Sequence, residues 1–432
     1  MIDKEPLELS NDFKNTLDLL EKTKKNLFIT GRAGTGKSTL LKLFRRTTRK
    51  KTVVLAPTGI AALNVQGQTI HSFFGFPAKP LTRRDIKKRK SRKVYQNLEM
   101  LIIDEISMVR ADLLDSIDFF LRLNRDNVID PFGGVQVVFF GDLFQLPPVV
   151  SSDVEAMLFK LYYESPYFFS AKIFDTDFEL EMMELRKTYR QKSRHFLRLL
   201  DAVRTNQLDY DDLEDLNERH LPEFEPEDFY ITLSTRNSIV DQINERQLRK
   251  LASEEYSFMA SVTGNFNPRL FPTELELKLK LGAQVMFVKN DPKRQFVNGT
   301  IGKIVKLTDD LIMVLVETPD GKEKFIEVDK MEWEIKKYKA SEKDQKEIES
   351  ETVGTFKQYP LRLAWAITIH KSQGKTFDKV IIHLGSGAFE HGQTYVALSR
   401  CRTLEGIVLR QAIRPRDIMV DERIIEFYEQ QF

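Results

Sequence analysis

Residues 27 to 40 read Leu-Phe-Ile-Thr-Gly-Arg-Ala-Gly-Thr-Gly-Lys-Ser-Thr-Leu, and no other stretch limits the fold as strongly. An apolar strand, Leu27 to Ile29, enters Gly31-Arg-Ala-Gly-Thr-Gly36-Lys37-Ser38, and a helical run from Thr39 to Arg45 follows. The spacing G-x-x-x-x-G-K-[ST] between strand and helix is that of a phosphate cradle. Glycines let successive backbone N–H groups turn inward around phosphates. Lys37 supplies a point charge for the β- and γ-phosphates, and the Ser38 hydroxyl is a Mg²⁺ ligand. The helix adds its positive dipole end. Gly31, Ala33, Gly34, Thr35, Gly36, Lys37, Ser38 and Thr39 are the candidate nucleotide-binding residues. A chance glycine turn would not come with a strand before it and a helix after it.

Composition narrows the partners. At 432 residues the chain suits two or more domains. Charged residues make up 30% of it, yet the net charge is only +2, so a polyanion must be met by local patches. The lone Cys401 excludes an internal disulfide and a multi-cysteine metal site. No apolar run approaches membrane-spanning length, and the acidic start Met-Ile-Asp-Lys-Glu does not resemble a signal peptide. A soluble intracellular protein is expected.

Along the chain, Ser10 or Asn11 caps a first helix carrying Phe13, Leu17 and Leu20. Thr52 to Leu55 reads as a strand that ends in the Ala56-Pro-Thr-Gly59 turn. In a doubly wound sheet that edge is where ligands sit. Residues 82 to 93 hold eight basic side chains and one acid. That run is either a solvated face or a polyanion contact. Leu101-Ile-Ile-Asp104-Glu105 is an apolar strand ending in two acids, after a P-loop in the same chain. Asp104 is the candidate Mg²⁺ ligand and Glu105 the general base for the attacking water. Val135 to Phe140 is a buried strand leading to Gly141-Asp-Leu-Phe-Gln145, where a neutral amide can sense the γ-phosphate. Ser151 to Phe178 reads as an irregular aromatic seam, and 209 to 228 as an acidic, turn-like connection. From about 262 to 335 short β runs dominate, with hairpin turns at Asn298-Gly299 and Asp320-Gly321. Lys336 to Glu351 reads as a charged helix or linker, and Pro360 to Gly374 as a helical run.

In order, these motifs resemble the Pif1-like helicases of superfamily 1B, kin to the RecD and Dda helicases. The matching stretches are 31–38, 56–64 with 68–75, 101–108, 141–149, 185–191, 368–374 and 395–400. The run Phe-Gly-Gly-Val-Gln-Val-Val-Phe-Phe-Gly-Asp-Leu-Phe-Gln-Leu-Pro-Pro-Val at 132–149 is the most family-specific. The resemblance implies an α/β fold of two RecA-like P-loop domains with parallel sheets. A small wedge insertion belongs in the first domain and an SH3-like β-barrel in the second. The implied domains are 1–178 with the wedge at about 73–97, then 179–258, the barrel at 259–350, and 351–432.

The resemblance also implies ATP with Mg²⁺, and 5′→3′ movement on single-stranded DNA and its junctions with duplex. G-quadruplexes and RNA–DNA hybrids are further implied substrates, with roles in replication, repair, recombination or telomere-type maintenance. By family position Arg190 and Arg400 are arginine fingers from the second domain, and Gln145 and Gln373 couple nucleotide to DNA. Lys37, Glu105, Gln145, Arg190 and Arg400 are then the catalytic set, with Ser38 and Asp104 on the metal. Thr58, Gly59, Asn64, His71, Ser72, Pro147, His370, Lys371 and Ser372 are the implied DNA contacts. Phe73 and Phe76 are open between base stacking and core. The family reads adenine with a Gln in the first helix. Leu9-Ser-Asn-Asp-Phe13 has none, and Asn11 is the substitute. The near-minimal core points to a bacterial cytoplasmic monomer, or a nuclear or mitochondrial protein if eukaryotic. The competing reading is a P-loop ATPase that switches on nucleic acid without unwinding it.

Overall fold

The computed structural model describes residues 10–77, 79, 81–150, 153–318, 321–341, 344 and 346–431. Leu9 of the adenine region, residues 78 and 80 of the wedge and Asp320 of the expected turn lie outside these, as do 342, 343 and 345 of the expected linker.

The first lobe is a six-stranded sheet. Its spatial order is Gln68–Thr69, Thr52–Ala56, Met100–Ile103, Gln136–Phe140, Leu27–Thr30 and Glu181–Glu184. Every pairing is parallel. Parallel strands need crossovers that cover both faces, so the central strands are apolar throughout. Side chains alternate between faces. Phe28, Leu101 and Ile103 therefore enter one core, and Leu27, Ile29 and Ile102 the other. Ser10 caps the Asn11–Lys22 helix, its Oγ accepting from the Phe13 N–H at 3.4 Å.

The sheet runs further than the sequence suggested. Glu181–Glu184 pairs with Leu27–Thr30, so the first lobe's last strand lies beyond residue 178. The final helix, Glu422–Gln431, also returns to this lobe, where Phe427 stacks on Phe169 at 4.6 Å.

The second lobe has four parallel strands in the order Ala366–Thr368, Ile231–Ser234, Val380–His383 and Ile407–Leu409. Between its parts lies an antiparallel unit. Its main sheet orders Glu323–Glu327, Ile312–Glu317, Ile301–Leu307, Gln284–Phe287 and Leu361–Leu363 around a separate core. The β-rich expectation holds, but the unit continues past residue 350, because Leu361–Leu363 closes its sheet.

Four local expectations give way. Lys336 to Glu351 is not a helix or linker: Met331–Ala340 and Ile348–Gln358 form one long hairpin. Its charges alternate with Trp333 and Ile335 at period two, the register shift after Ile335 leaves its extra residue, Val353, on the opposite strand, and Tyr338, on the face away from Trp333 and Ile335, is buried. The 360–374 run is helical only at Ile369–Ser372, because the barrel and the second sheet recruit its first half as strands. The acidic 209–228 segment contains the helix Tyr210–Asn217, with Asp209 as cap. The aromatic seam after 152 likewise opens with a helix, Asp153–Tyr162.

Candidate nucleotide site and interlobe cleft

The strands Leu27–Thr30, Gln136–Phe140 and Met100–Ile103 are neighbours, so the turns at their carboxyl ends converge. Gly34 and Gly36 take φ of 88° and 87°, the left-handed region open to glycine. Gly36 caps the Lys37–Thr47 helix, leaving Ser38 and Thr39 exposed at its first turn. Thr35 is buried, and its hydroxyl donates to the Arg32 carbonyl. The Lys37 ammonium folds back on its own loop, donating to the carbonyls of Gly31 at 2.5 Å and Arg32 at 3.0 Å. Burial lowers its pKa, with Asp142 and Glu105 opposing. Carbonyl oxygens thus stand where phosphate oxygens would bind.

Asp104 and Glu105 face this ammonium. Burial, and then Glu105's charge, push Asp104 up to about 7. Burial raises Glu105 too, while Lys37 and Arg400 pull it down. Two adjacent carboxylates, Asp104 buried and Glu105 half-buried, both held above their ordinary range, fit a cation between them and a phosphate. One carboxylate, one hydroxyl and phosphate oxygens are the donors Mg²⁺ takes at nucleotide sites, and Asp104 and Ser38 supply the first two.

The most connected group is one that sequence reasoning passed over, Asp142. Gln145 Nε2 donates to it at 3.1 Å from the same turn. From the other side Arg204 Nη2 donates at 3.1 Å and the Tyr395 hydroxyl at 3.3 Å. Tyr395 also accepts from the Ala33 N–H at 3.0 Å, reaching the phosphate loop itself. Burial alone would raise Asp142, but Arg204 and Lys37 outweigh it and hold the carboxyl low. Arg204 lies 4.1 Å over the Phe144 ring. Asp142 carried a usable signal, since Gly-Asp ends a buried strand much as Asp104 does. Arg204 carried none: on an amphipathic helix it looks like any basic residue.

The two expected fingers lie at the cleft in different ways. Arg190 belongs to the segment between the lobes. Its side chain packs so closely on the phosphate loop that a Cβ at Gly34 would lie 2.5 Å from the Arg190 Cβ. Its Nη1 donates to the Ser399 carbonyl of the second lobe at 2.9 Å, beside Gln191, which donates to Ser399 and Cys401. Arg400 is buried in the second lobe, bonded to the Val396 carbonyl at 2.9 Å and the Ser399 hydroxyl at 2.8 Å. Burial lowers the pKa of both arginines. The field of Arg190 reaches Lys37, and that of Arg400 reaches Glu105.

The implied DNA contacts do not form one cluster. Asn64 and Lys371 line a cavity of about 390 Å³ between the lobes. Thr58 caps the Gly59–Asn64 helix, and the barrel's Leu270 presses on Gly59, where a Cβ would lie 2.1 Å from its Cδ2. His71 is half-buried and held low by burial and Arg110, while Ser72 accepts from Gln68 at 2.8 Å. Pro147 is half-buried beside Gln145. His370 pairs with Glu390 at 3.1 Å. Ser372 is fully buried and its hydroxyl donates to the Ile369 carbonyl, a packing role. Gln373 keeps a buried Nε2 with no hydrogen-bond partner among the described residues. Phe73 and Phe76 are core, packed with Tyr95 and Phe120.

Residues 8–213 match the family described as PIF1-like helicase, and 266–307 match the DNA helicase Pif1 2B domain. The chain is 33% identical to the ATP-dependent DNA helicase Pif1 of Bdellovibrio bacteriovorus, over 98% of this chain and 92% of that protein. It spans about three fifths of the length of the fungal and animal relatives it matches (63%, 62% and 61% in three of them). The structure is similar to that of Bacteroides sp Pif1 in complex with ADP-AlF4, with 39% identity and a TM-score of 0.90 over 98% of this chain and 96% of that one. Against Bacteroides Pif1 bound to ssDNA, at the same identity and coverage, the TM-score is 0.69.

Proposed function

The chain belongs to the PIF1-like helicase family, and on that premise we propose a motor that couples ATP turnover in the interlobe cleft to 5′→3′ movement along single-stranded DNA. It is an ATP-dependent DNA helicase. In this reading it enters duplexes from a 5′ single-stranded tail and also opens G-quadruplexes and RNA–DNA hybrids. It works as a monomer, in a bacterial cytoplasm.

The nucleotide's phosphates draw Lys37 away from the Gly31 and Arg32 carbonyls. Glu105, raised by its burial, accepts a proton from the attacking water. Ser38 and Asp104 would hold Mg²⁺, which would supply charge neutralisation for the phosphates. Gln145, positioned by Asp142, meets the terminal phosphoryl group. Arg190 and Arg400 approach it from beyond the first lobe and stabilise the charge that grows in the transition state. Loss of that group removes the partner the lobes share, and the cleft opens.

One observation supports this reading above the rest. The Asp142 carboxylate takes hydrogen bonds from both lobes at the nucleotide edge, so a change there is felt by both. The test is strand separation. With ATP and Mg²⁺, a labelled duplex with a 5′ tail should be unwound and its 3′-tailed counterpart left paired. DNA-stimulated ATP turnover without strand separation would instead identify a nucleic-acid switch.

A further inference from the structure

The glycines of the phosphate loop have different covers. A Cβ at Gly31 would lie 2.5 Å from the Leu185 carbonyl oxygen, and one at Gly34 2.5 Å from the Arg190 Cβ. One at Gly36 would lie 3.0 Å from the Phe13 Cζ and 3.7 Å from the Tyr189 Cδ2. Gly36 caps the Lys37–Thr47 helix, whose first turn leaves Ser38 and Thr39 exposed. Asp104, Glu105 and Asp142 gather around Lys37 and close the phosphate end of the site. The sugar and base of a nucleotide therefore leave on the Gly36 side, beside Phe13 and Tyr189.

This side offers ring surface and little that can read a base. Tyr189 is 44% exposed, and its N–H donates to the Gly34 carbonyl at 2.9 Å, which fixes the ring beside the loop. Phe13 is buried and meets that ring at 75°, with centroids 6.3 Å apart. The Lys187 ammonium lies 5.3 Å from the Tyr189 centroid. Asn11, expected to stand in for the adenine-reading amide, does not reach this place. It lies two positions before Phe13 on the same helix, about 200° around the axis. With Phe13 against Gly36, Asn11 points the other way and is exposed. The polar groups nearer Phe13 are already engaged. Ser10 Oγ accepts from the Phe13 N–H at 3.4 Å, the Lys14 N–H donates to the Ser10 carbonyl at 3.1 Å, and the Thr16 hydroxyl donates to the Asp12 carbonyl at 2.6 Å. Bases differ in the hydrogen bonds at their edges, whereas every base has a flat face that stacks on a ring.

We infer that this chain does not select its nucleobase: with a Phe13–Tyr189 ring platform in place of an edge-reading amide, GTP, CTP and UTP serve the motor alongside ATP. In each case water takes the terminal phosphoryl group and the nucleoside diphosphate leaves. The inference rests on the nucleotide-site reading above and widens its substrate class. The full chain is assayed with Mg²⁺ and oligothymidine for phosphate release from each of the four triphosphates. Their kcat/KM values should agree within about tenfold. ADP, GDP, CDP and UDP, each at one concentration with Mg²⁺ and no DNA, should raise the melting temperature by similar amounts. Tyr189→Ala should raise KM for all four by about tenfold, and Tyr189→Phe should bring it back, because the ring and not the hydroxyl is used. A preference for ATP above about tenfold, in a protein that unwinds DNA, would overturn the inference alone. A melting shift with ADP only, or wild-type KM values in Tyr189→Ala, would do the same. A wild type that hydrolyses none of the four would overturn the nucleotide-site reading beneath it.

Discussion

Asp104 and Glu105 are adjacent carboxylates with different tasks, and substitution separates them. Glu105→Gln keeps the shape and removes the proton acceptor. Turnover should drop by about a hundredfold or more, the usual weight of a general base, while single-strand binding persists. Steady-state ATPase and an oligothymidine titration check both halves, and normal turnover would refute the assignment. Asp104→Asn removes a buried charge. In the folded protein Asp104 titrates near 7, against about 3.9 unfolded, so its ionisation costs stability as pH rises from 4 to 7. The nucleotide-free Asn variant should therefore melt above wild type at pH 8, and the gap should fade as pH falls towards 4. The same variant should lose Mg²⁺-dependent turnover, a trade of activity for stability. Melting curves at pH 8 and pH 5 decide the sign. Both carboxylates were legible in the sequence because chemistry ties Asp-Glu to a strand end. Arg204 was not legible, since its role exists only once Asp142 faces it at 3.1 Å.

At the scale of elements, the Met331–Gln358 hairpin is the clearest departure from expectation, and Tyr338 shows why. Its hydroxyl accepts from the Val54 N–H at 3.3 Å and from Arg45 Nη2 at 3.4 Å. Its own N–H donates to Gln68 Oε1 at 3.2 Å. A strand of the barrel unit thus satisfies polar groups near the edge of the first sheet. Tyr338→Phe leaves the buried Val54 N–H without an acceptor, a local cost of about 1–2 kcal/mol. Hydrogen exchange at Val54 should quicken by roughly tenfold while the global melting point moves little; unchanged protection would show that another group caps that amide. The basic 82–93 segment has a divided role. Lys88 and Arg92 pair with Asp126, and Arg89 donates to the Phe74 and Gly75 carbonyls, whereas Arg84, Lys87, Lys90 and Lys93 are exposed. Sequence could count these charges. It could not say which of them the fold had already committed.

At the scale of the whole molecule, the last helix ties the end of the chain to its first lobe. Phe427 packs on Phe28, Phe168 and Phe169, and Tyr428 shares a 2.5 Å hydrogen bond with Thr30. Tyr428 also faces the Phe144 ring at 5.0 Å, and Arg204, which bonds Asp142, lies over both rings, 4.1 Å from Phe144 and 5.8 Å from Tyr428. The two lobes should therefore unfold as one cooperative unit in the absence of ligand. Phe427→Ala, at a half-buried site, should cost about 2 kcal/mol and lower the melting temperature by a few degrees without splitting the transition. Two resolved calorimetric transitions in that variant would show that the helix, rather than the Asp142 network, joins the lobes.

What the sequence by itself determined is the chemistry that local pattern enforces. A phosphate loop needs glycines, a lysine and a hydroxyl at fixed spacing, and a parallel strand buried on both faces must be apolar along its length. Both constraints act between residues a few positions apart, so they are written in order along the chain. The tertiary structure alone decided which distant groups share a charge or a hydrogen bond: Arg204 with Asp142, and Tyr338 with Val54. A charged side chain is soluble almost anywhere on a surface. Its cost, and therefore its task, is set only when folding takes water away and supplies a partner, or withholds one.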